Sequence, residues 1–150
     1  MRVGFASDHG GFGLKSDFLK RLGELGYELL DYGAYEYDAS DDFPDFVHPL
    51  AVALREGEVE RAIAICGSGI GACIVANKVR GVRAALVGDS FSAHQGVEHD
   101  DMNFICIGAR VVGRELAYEL VSVFLQARFI SSGRFLRRVK KIDNLDLGLR

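Results

Sequence analysis

Cysteine is scarce in this chain, and the three residues present cannot form a paired framework. Cys66, Cys73 and Cys106 are odd in number and all lie in strongly apolar stretches. A disulfide-stapled secreted scaffold is therefore not expected, and a reducing, cytoplasmic setting fits best. Long apolar runs are also missing. The longest charge-free stretch, Ala62 to Asn77, is laden with glycine and shorter than a bilayer-spanning helix, and Asp8 interrupts the apolar start. Neither a membrane span nor a signal peptide is expected. Nor is there a strong charge of one sign. The net charge of -3 and the scarcity of aromatics among the basic residues argue against a nucleic-acid surface. The Walker lysine pattern, His-x-x-x-His, Cys-x-x-Cys and the calcium-loop pattern are all absent.

What is there suits one domain spanning 1–150. A 150-residue chain that is 49% hydrophobic can bury a core without staples. The apolar runs Arg2–Ser7, Tyr27–Asp31, Ala62–Cys66, Ala84–Val87 and Phe104–Ile107 read as strands. Helical spacing follows each: Leu14, Phe18, Leu22 and Leu25; Val47, Leu50, Ala51 and Leu54; the stretch after Gly71; Ser90 to Val97; and Leu116, Leu120, Val123 and Phe124. Five β-α repeats predict an α/β fold, a parallel sheet with helices on both faces and a ligand crevice beyond the carboxyl ends of the strands. Asp8, His9 and Cys66 fall at such ends.

The charge is uneven. From Arg128 onward seven basic residues face two acidic ones. A last amphipathic segment, about 134–144, carries Phe135, Val139 and Ile142 on one side and Arg134, Arg138 and Lys141 on another. It follows a complete sheet, so its apolar face points to a partner subunit, as does the almost uncharged helix after Gly71. A homodimer is expected.

Chemistry concentrates at Cys66-Gly-Ser-Gly-Ile-Gly71. Gly67, Gly69 and Gly71 leave backbone amides bare at a helix start, which suits an anion; a purely structural turn is the alternative. The spacing also meets a dinucleotide fingerprint, with Asp89 placed for a ribose contact, but the turn does not open the domain and the chain has no room for a separate substrate domain. Cys66 is either a small buried hydrophobe, as Cys73 and Cys106 are read, or a base or nucleophile facing the helix start. His9 and His99 fall on loops. The acidic loop Asp38 to Asp45 reads as solvated and helix-capping. Arg134 and Arg138, four apart, share a helical face that can grip a phosphate or simply be solvated.

Seven segments in order then resemble one family: Ala6-Ser-Asp8-His9-Gly-Gly-Phe12-x-Leu14-Lys15, Asp42-Phe43-Pro44-Asp45-Phe46, Cys66-Gly-Ser-Gly-Ile-Gly71, Ala76-Asn-Lys78, Gly81-x-Arg83-Ala84-Ala85, Glu98-His99-x-Asp101-x-Asn103 and Gly133-Arg134-x-x-x-Arg138-Val139. They are similar to the type B ribose-5-phosphate isomerases, whose relatives include galactose-6-phosphate isomerase subunits. The resemblance implies a Rossmann-like three-layer sandwich without metal or cofactor. Its active site would lie where two subunits meet, with the C-terminal helix used in dimerisation and dimers able to pair further.

It also implies roles. His99, with Asp8, would open the furanose ring, and Cys66 would move a proton between C2 and C1 of ribose 5-phosphate. Ser68 and the turn amides of Gly67, Gly69, Ile70 and Gly71 would hold the enediolate oxygen. His9, Arg134 and Arg138 would hold the phosphate, with Arg110 a weaker candidate. Some members carry a glutamate on the glycine loop; no such acid stands near Ala72 here. Two positions depart from the pattern, Asp100 for asparagine and Phe43 for tyrosine. They leave other phosphorylated tetroses, pentoses or hexoses, or a non-catalytic sugar-phosphate-binding subunit, as alternatives.

Overall fold

A computed structural model describes residues 1–148. In chain order it contains Arg2–Ser7 (β1), Phe12–Glu24 (α1), Glu28–Asp31 (β2), Pro44–Arg55 (α2), Arg61–Cys66 (β3), Ile70–Ala76 (α3), Ala84–Leu86 (β4), Ser90–Asp100 (α4), Phe104–Gly108 (β5), Arg114–Gln126 (α5) and Gly133–Asp146 (α6). The five strands form one parallel sheet in the order β2-β1-β3-β5-β4. This is the Rossmann-like α/β architecture.

Alternation along the strands sorts large and small side chains to opposite faces. Val3, Phe5, Ile63, Ile65, Ile105 and Ile107 pack with residues of α1, α4 and α5. Ala6, Ala62, Ala64, Cys66 and Cys106 face α2 and α3. The register places Phe5 beside Ile63 and Ile63 beside Ile105, and on the other face Ala6 beside Ala64 and Ala64 beside Cys106. Each fully buried Ile or Phe contributes about 1.5–3 kcal/mol relative to exposure. The small-residue face lets α2 and α3 approach closely; a Cβ at Gly4 would run into Leu50.

From β1 the chain passes to β2 on one side, whereas β3 lies on the other. That reversal opens a crevice between the carboxyl ends of β1 and β3, where Asp8 and Cys66 stand. The loop from β2 is pinned there by Lys15, whose side chain is 1% exposed. Its Nζ donates to Asp31 Oδ1 at 2.6 Å and to the Ala34 carbonyl at 2.7 Å.

Three expectations change. Helix α4 does not stop at Val97 but runs to Asp100, ended by Asp101 in a left-handed conformation (φ 52°), so His99 lies in its last turn and not on a loop. Asp89 caps α4, accepting from the Ser92 amide at 2.7 Å and the Ser92 hydroxyl at 2.8 Å, so both carboxylate oxygens are engaged in holding the helix start. The acidic loop supplies no side-chain cap to α2. Phe43 occupies the capping position, and Pro44 starts the helix with its fixed φ.

Candidate active site

Cys66 is the last residue of β3 and 4% exposed. The chain then turns through Gly69, whose φ of 81° is open to glycine and costly for residues with a Cβ. This conformation aims the Gly69 amide back at Cys66 Sγ, 3.1 Å away. A donor aimed at sulfur is the partner a thiolate requires. The Ile70 amide is taken by Ser68 Oγ at 3.3 Å, whereas the amides of Ser68 and Gly71 have no partner among the described residues.

Neighbouring segments close around this turn. The chain beyond β5 continues the ladder, with the Ala109 amide donating to Cys66 O at 2.9 Å and the Arg110 amide to Gly67 O at 3.0 Å. The Arg110 side chain thereby lies along Gly67, with its Cδ, Nε and Cζ 3.6 Å from where a Cβ would stand. Phe43 covers Gly71 so tightly that a Cβ there would be 2.6 Å from the ring. Asp8, 7% exposed, accepts from the Gly11 amide at 3.2 Å. Together Asp8, Phe43, Cys66, Gly67, Ser68, Gly71, Arg110 and Val111 line a cavity of about 340 Å³.

His9 sits beside this cavity, fastened to Asp41 through both its amide (2.9 Å) and Nδ1 (2.6 Å). The bond to Asp41 raises the imidazole pKa above 6.5, with the Asp8 carboxylate adding to the rise, while partial burial and Arg110 oppose it. Asp8, His9 and Asp41 offer ligand atoms within 4.8 Å of one another. The His9–Asp41 bond already engages two of those groups.

The remaining expected residues lie elsewhere. Helix α4 starts past the carboxyl end of β4 and runs back against the strand direction, so His99 ends up near the amino end of β5. Cys66 is at the opposite, carboxyl end of the sheet, a strand length of about 16 Å away. His99 Nδ1 accepts from Gln95 Nε2 at 2.8 Å, and its ring stacks on Phe135 of α6 at 4.2 Å and 20°. The Arg134 guanidinium lies 4.9 Å from the Phe135 ring, Arg138 follows one turn along α6, and Asp100 is exposed beside His99. One chain thus holds two clusters, Asp8, His9, Cys66, Ser68 and Arg110 at one pole and His99, Asp100, Arg134 and Arg138 at the other.

The sequence profile described as Ribose/Galactose Isomerase matches residues 3–142. The chain belongs to this family. Ribose-5-phosphate isomerase B of Escherichia coli is 37% identical, with 97% of this chain and 96% of that protein covered. D-erythrulose-4-phosphate isomerase of Pectobacterium atrosepticum is 36% identical over 89% and 88%. Among solved structures, Clostridium thermocellum ribose-5-phosphate isomerase B superposes with a TM-score of 0.94 at 42% identity, covering 99% of both chains. The Mycoplasma genitalium ribose-5-phosphate isomerase B with bound ribulose-5-phosphate gives 0.91 at 36% identity over 97% and 96%. The chain is a sugar-phosphate isomerase of the ribose/galactose isomerase family.

Two residues were poorly readable as members of this family fold. Asp41, expected to be solvated, is buried against His9; in a run of four aspartates, Asp38, Asp41, Asp42 and Asp45, no spacing singles it out. Cys73 is not an inert hydrophobe like the fully buried Cys106. It is half-buried, and a hydrogen bond with Cys106, joined by the Leu86 backbone and the Asn77 amide, lowers its pKa to about 6, while burial pushes the Cys106 thiol well up.

Proposed function

We propose that this chain interconverts ribose 5-phosphate and ribulose 5-phosphate through an enediolate, with Cys66 as the base. The observation that carries the reading is the Cys66 sulfur at the wall of a cavity also lined by Ser68 and Gly71, whose amides have no partner among the described residues. In the open-chain aldose, the Cys66 thiolate takes the proton from C2. The electron pair of that bond forms the C1–C2 double bond, and charge moves onto O1, where the turn amides and Ser68 receive it. The thiol returns the proton to C1, the 2-hydroxyl proton passes to O1, and C2 becomes the ketone. No atom is gained or lost.

The phosphate binds far from the reacting carbons, on His9, Arg110, Arg134 and Arg138, and its binding energy orients C2 against the sulfur. Furanose opening falls to His99 and Asp8. Because those groups occupy opposite poles of one chain, the complete site is formed from Cys66, Asp8, His9 and Arg110 of one copy and His99, Arg134 and Arg138 of another. The uncovered face of α3, with Ile70 53% and Ile74 57% exposed, supports such a homodimer. So do Ile142 and Leu145 on α6, whose Val139 is buried within its own chain.

The purified chain alone is expected to convert ribose 5-phosphate without added metal or nicotinamide. Cys66→Ala is expected to keep the fold and lower kcat by about 10³-fold or more. Full turnover in Cys66→Ala would remove the sulfur from the mechanism. A second reading, a different phosphorylated sugar, is favoured by Asp100 and Phe43 and by the family's inclusion of a tetrose-phosphate enzyme.

A further inference from the structure

Asp41 belongs to a solvent-facing loop, yet its side chain is only 8% exposed. Its Oδ1 accepts both bonds from His9, one from the amide and one from Nδ1. Its Oδ2 is buried without a partner among the described residues. A buried carboxylate with one idle oxygen is a costly way to tether a loop, since an asparagine or serine oxygen accepts from the same amide without carrying a charge out of water. What the carboxylate adds is a negative charge fixed against one edge of the imidazole. It accepts only, so Nδ1 carries the proton and Nε2 is the nitrogen left for a ligand.

On the sugar-phosphate reading above, we propose that Asp41 is a positioning residue for the substrate's phosphate: it holds the His9 ring in place through Nδ1 and sets a fixed negative charge against it, so that Nε2 is turned to the phosphate and its N–H is favoured there as a charged donor. The groups facing His9 are Asp41, Asp8 and Asp38 on the negative side and Arg110 on the positive side. The Asp41 hydrogen bond is the largest of these influences and raises the imidazole pKa. Without it, at about pH 7.5, an imidazole near its ordinary value is roughly nine-tenths neutral, and Arg110 favours that form further. With Nδ1 holding the ring's one proton, a neutral imidazole presents only the Nε2 lone pair and has no hydrogen to give the phosphate.

The test is Asp41→Asn, which keeps an accepting oxygen for both His9 bonds and removes only the charge. Sulfate serves as the probe because it stays a dianion from about pH 5 to 9, and the His9 ring resonances report both its protonation and sulfate binding. In the wild type His9 is expected to titrate above 6.5, and in the variant clearly lower. The sulfate dissociation constant is expected to rise about tenfold at pH 7.5 and to converge with the wild type near pH 5.5, where both rings are protonated. KM for the sugar phosphate should rise with kcat little changed. An equal loss of sulfate affinity at both pH values would mark a merely structural residue and overturn the proposal. If the variant does not fold, the wild-type titration decides, because a His9 pKa at or below 6.5 overturns it too. So does a loss of wild-type sulfate affinity on chelation with EDTA, which would give the Asp8, His9 and Asp41 group to a cation. None of these readouts needs turnover. A shifted His9 in a chain inactive on ribose 5-phosphate refutes the substrate, not the role of Asp41.

Discussion

Asp100 adjoins His99 at the end of α4, exposed on the pole that carries Arg134 and Arg138. An asparagine there would both donate and accept; the carboxylate only accepts, and it places negative charge near the arginines proposed to bind phosphate. Asp100→Asn is therefore expected to raise kcat/KM for ribose 5-phosphate about tenfold relative to other phosphorylated aldoses. The measurement is a panel of tetrose, pentose and hexose phosphates with both proteins. An unchanged ranking would show that sugar choice is made elsewhere, with Phe43 over Gly71 the next position to alter.

Between β3 and α3, three residues turn a strand into a helix while delivering an amide to the Cys66 sulfur. Gly69 makes this possible in two ways. Its backbone adopts φ 81°, and a Cβ would come within 3.0 Å of the Gly108 amide nitrogen and closer still to Leu86. Strand β5 therefore has to abut the turn, and the left-handed residue has to be bare. Gly69→Ala is expected to cost about 2–4 kcal/mol, combining backbone strain with overpacking. Urea unfolding monitored by circular dichroism would read it, and a loss below about 0.5 kcal/mol would mean that the turn relaxes without harm. The loop from β2 is held differently, by the buried Lys15 amine on Asp31 and the Ala34 carbonyl, and through it Asp41 and Phe43 reach the cavity rim.

At the scale of the molecule, the opposed poles make a strong demand. If the site is shared between copies, a dimer of Cys66→Ala with His99→Ala contains one site that lacks both residues and one that has both. Each variant alone should be nearly inactive, whereas co-refolding equal amounts should restore about a quarter of wild-type activity, since half of the dimers are mixed and each has one intact site. No recovery in mixtures shown to exchange subunits would place the whole mechanism within one chain. The apolar outer face of α3 should then have another explanation. Among the described residues no helix is long and apolar enough to cross a membrane.

The amino-acid sequence by itself determined the order of strands and helices, the parallel sheet, the glycine turn and the family. These depend on local periodicity, on residues such as Gly69 that only one backbone conformation explains, and on motifs contiguous in the chain. Residues close together in sequence were legible because the strand that carries them also aims them, as with Cys66 and its turn. Tertiary structure alone decided which acid of the β2–α2 loop is buried on His9, that Asp89 caps a helix, and that Cys73 meets Cys106. It also decided that His99 and Cys66 stand at opposite poles. Each depends on the direction in which a helix returns across the sheet, or on contacts between segments tens of residues apart, and neither leaves a period or a spacing in the sequence.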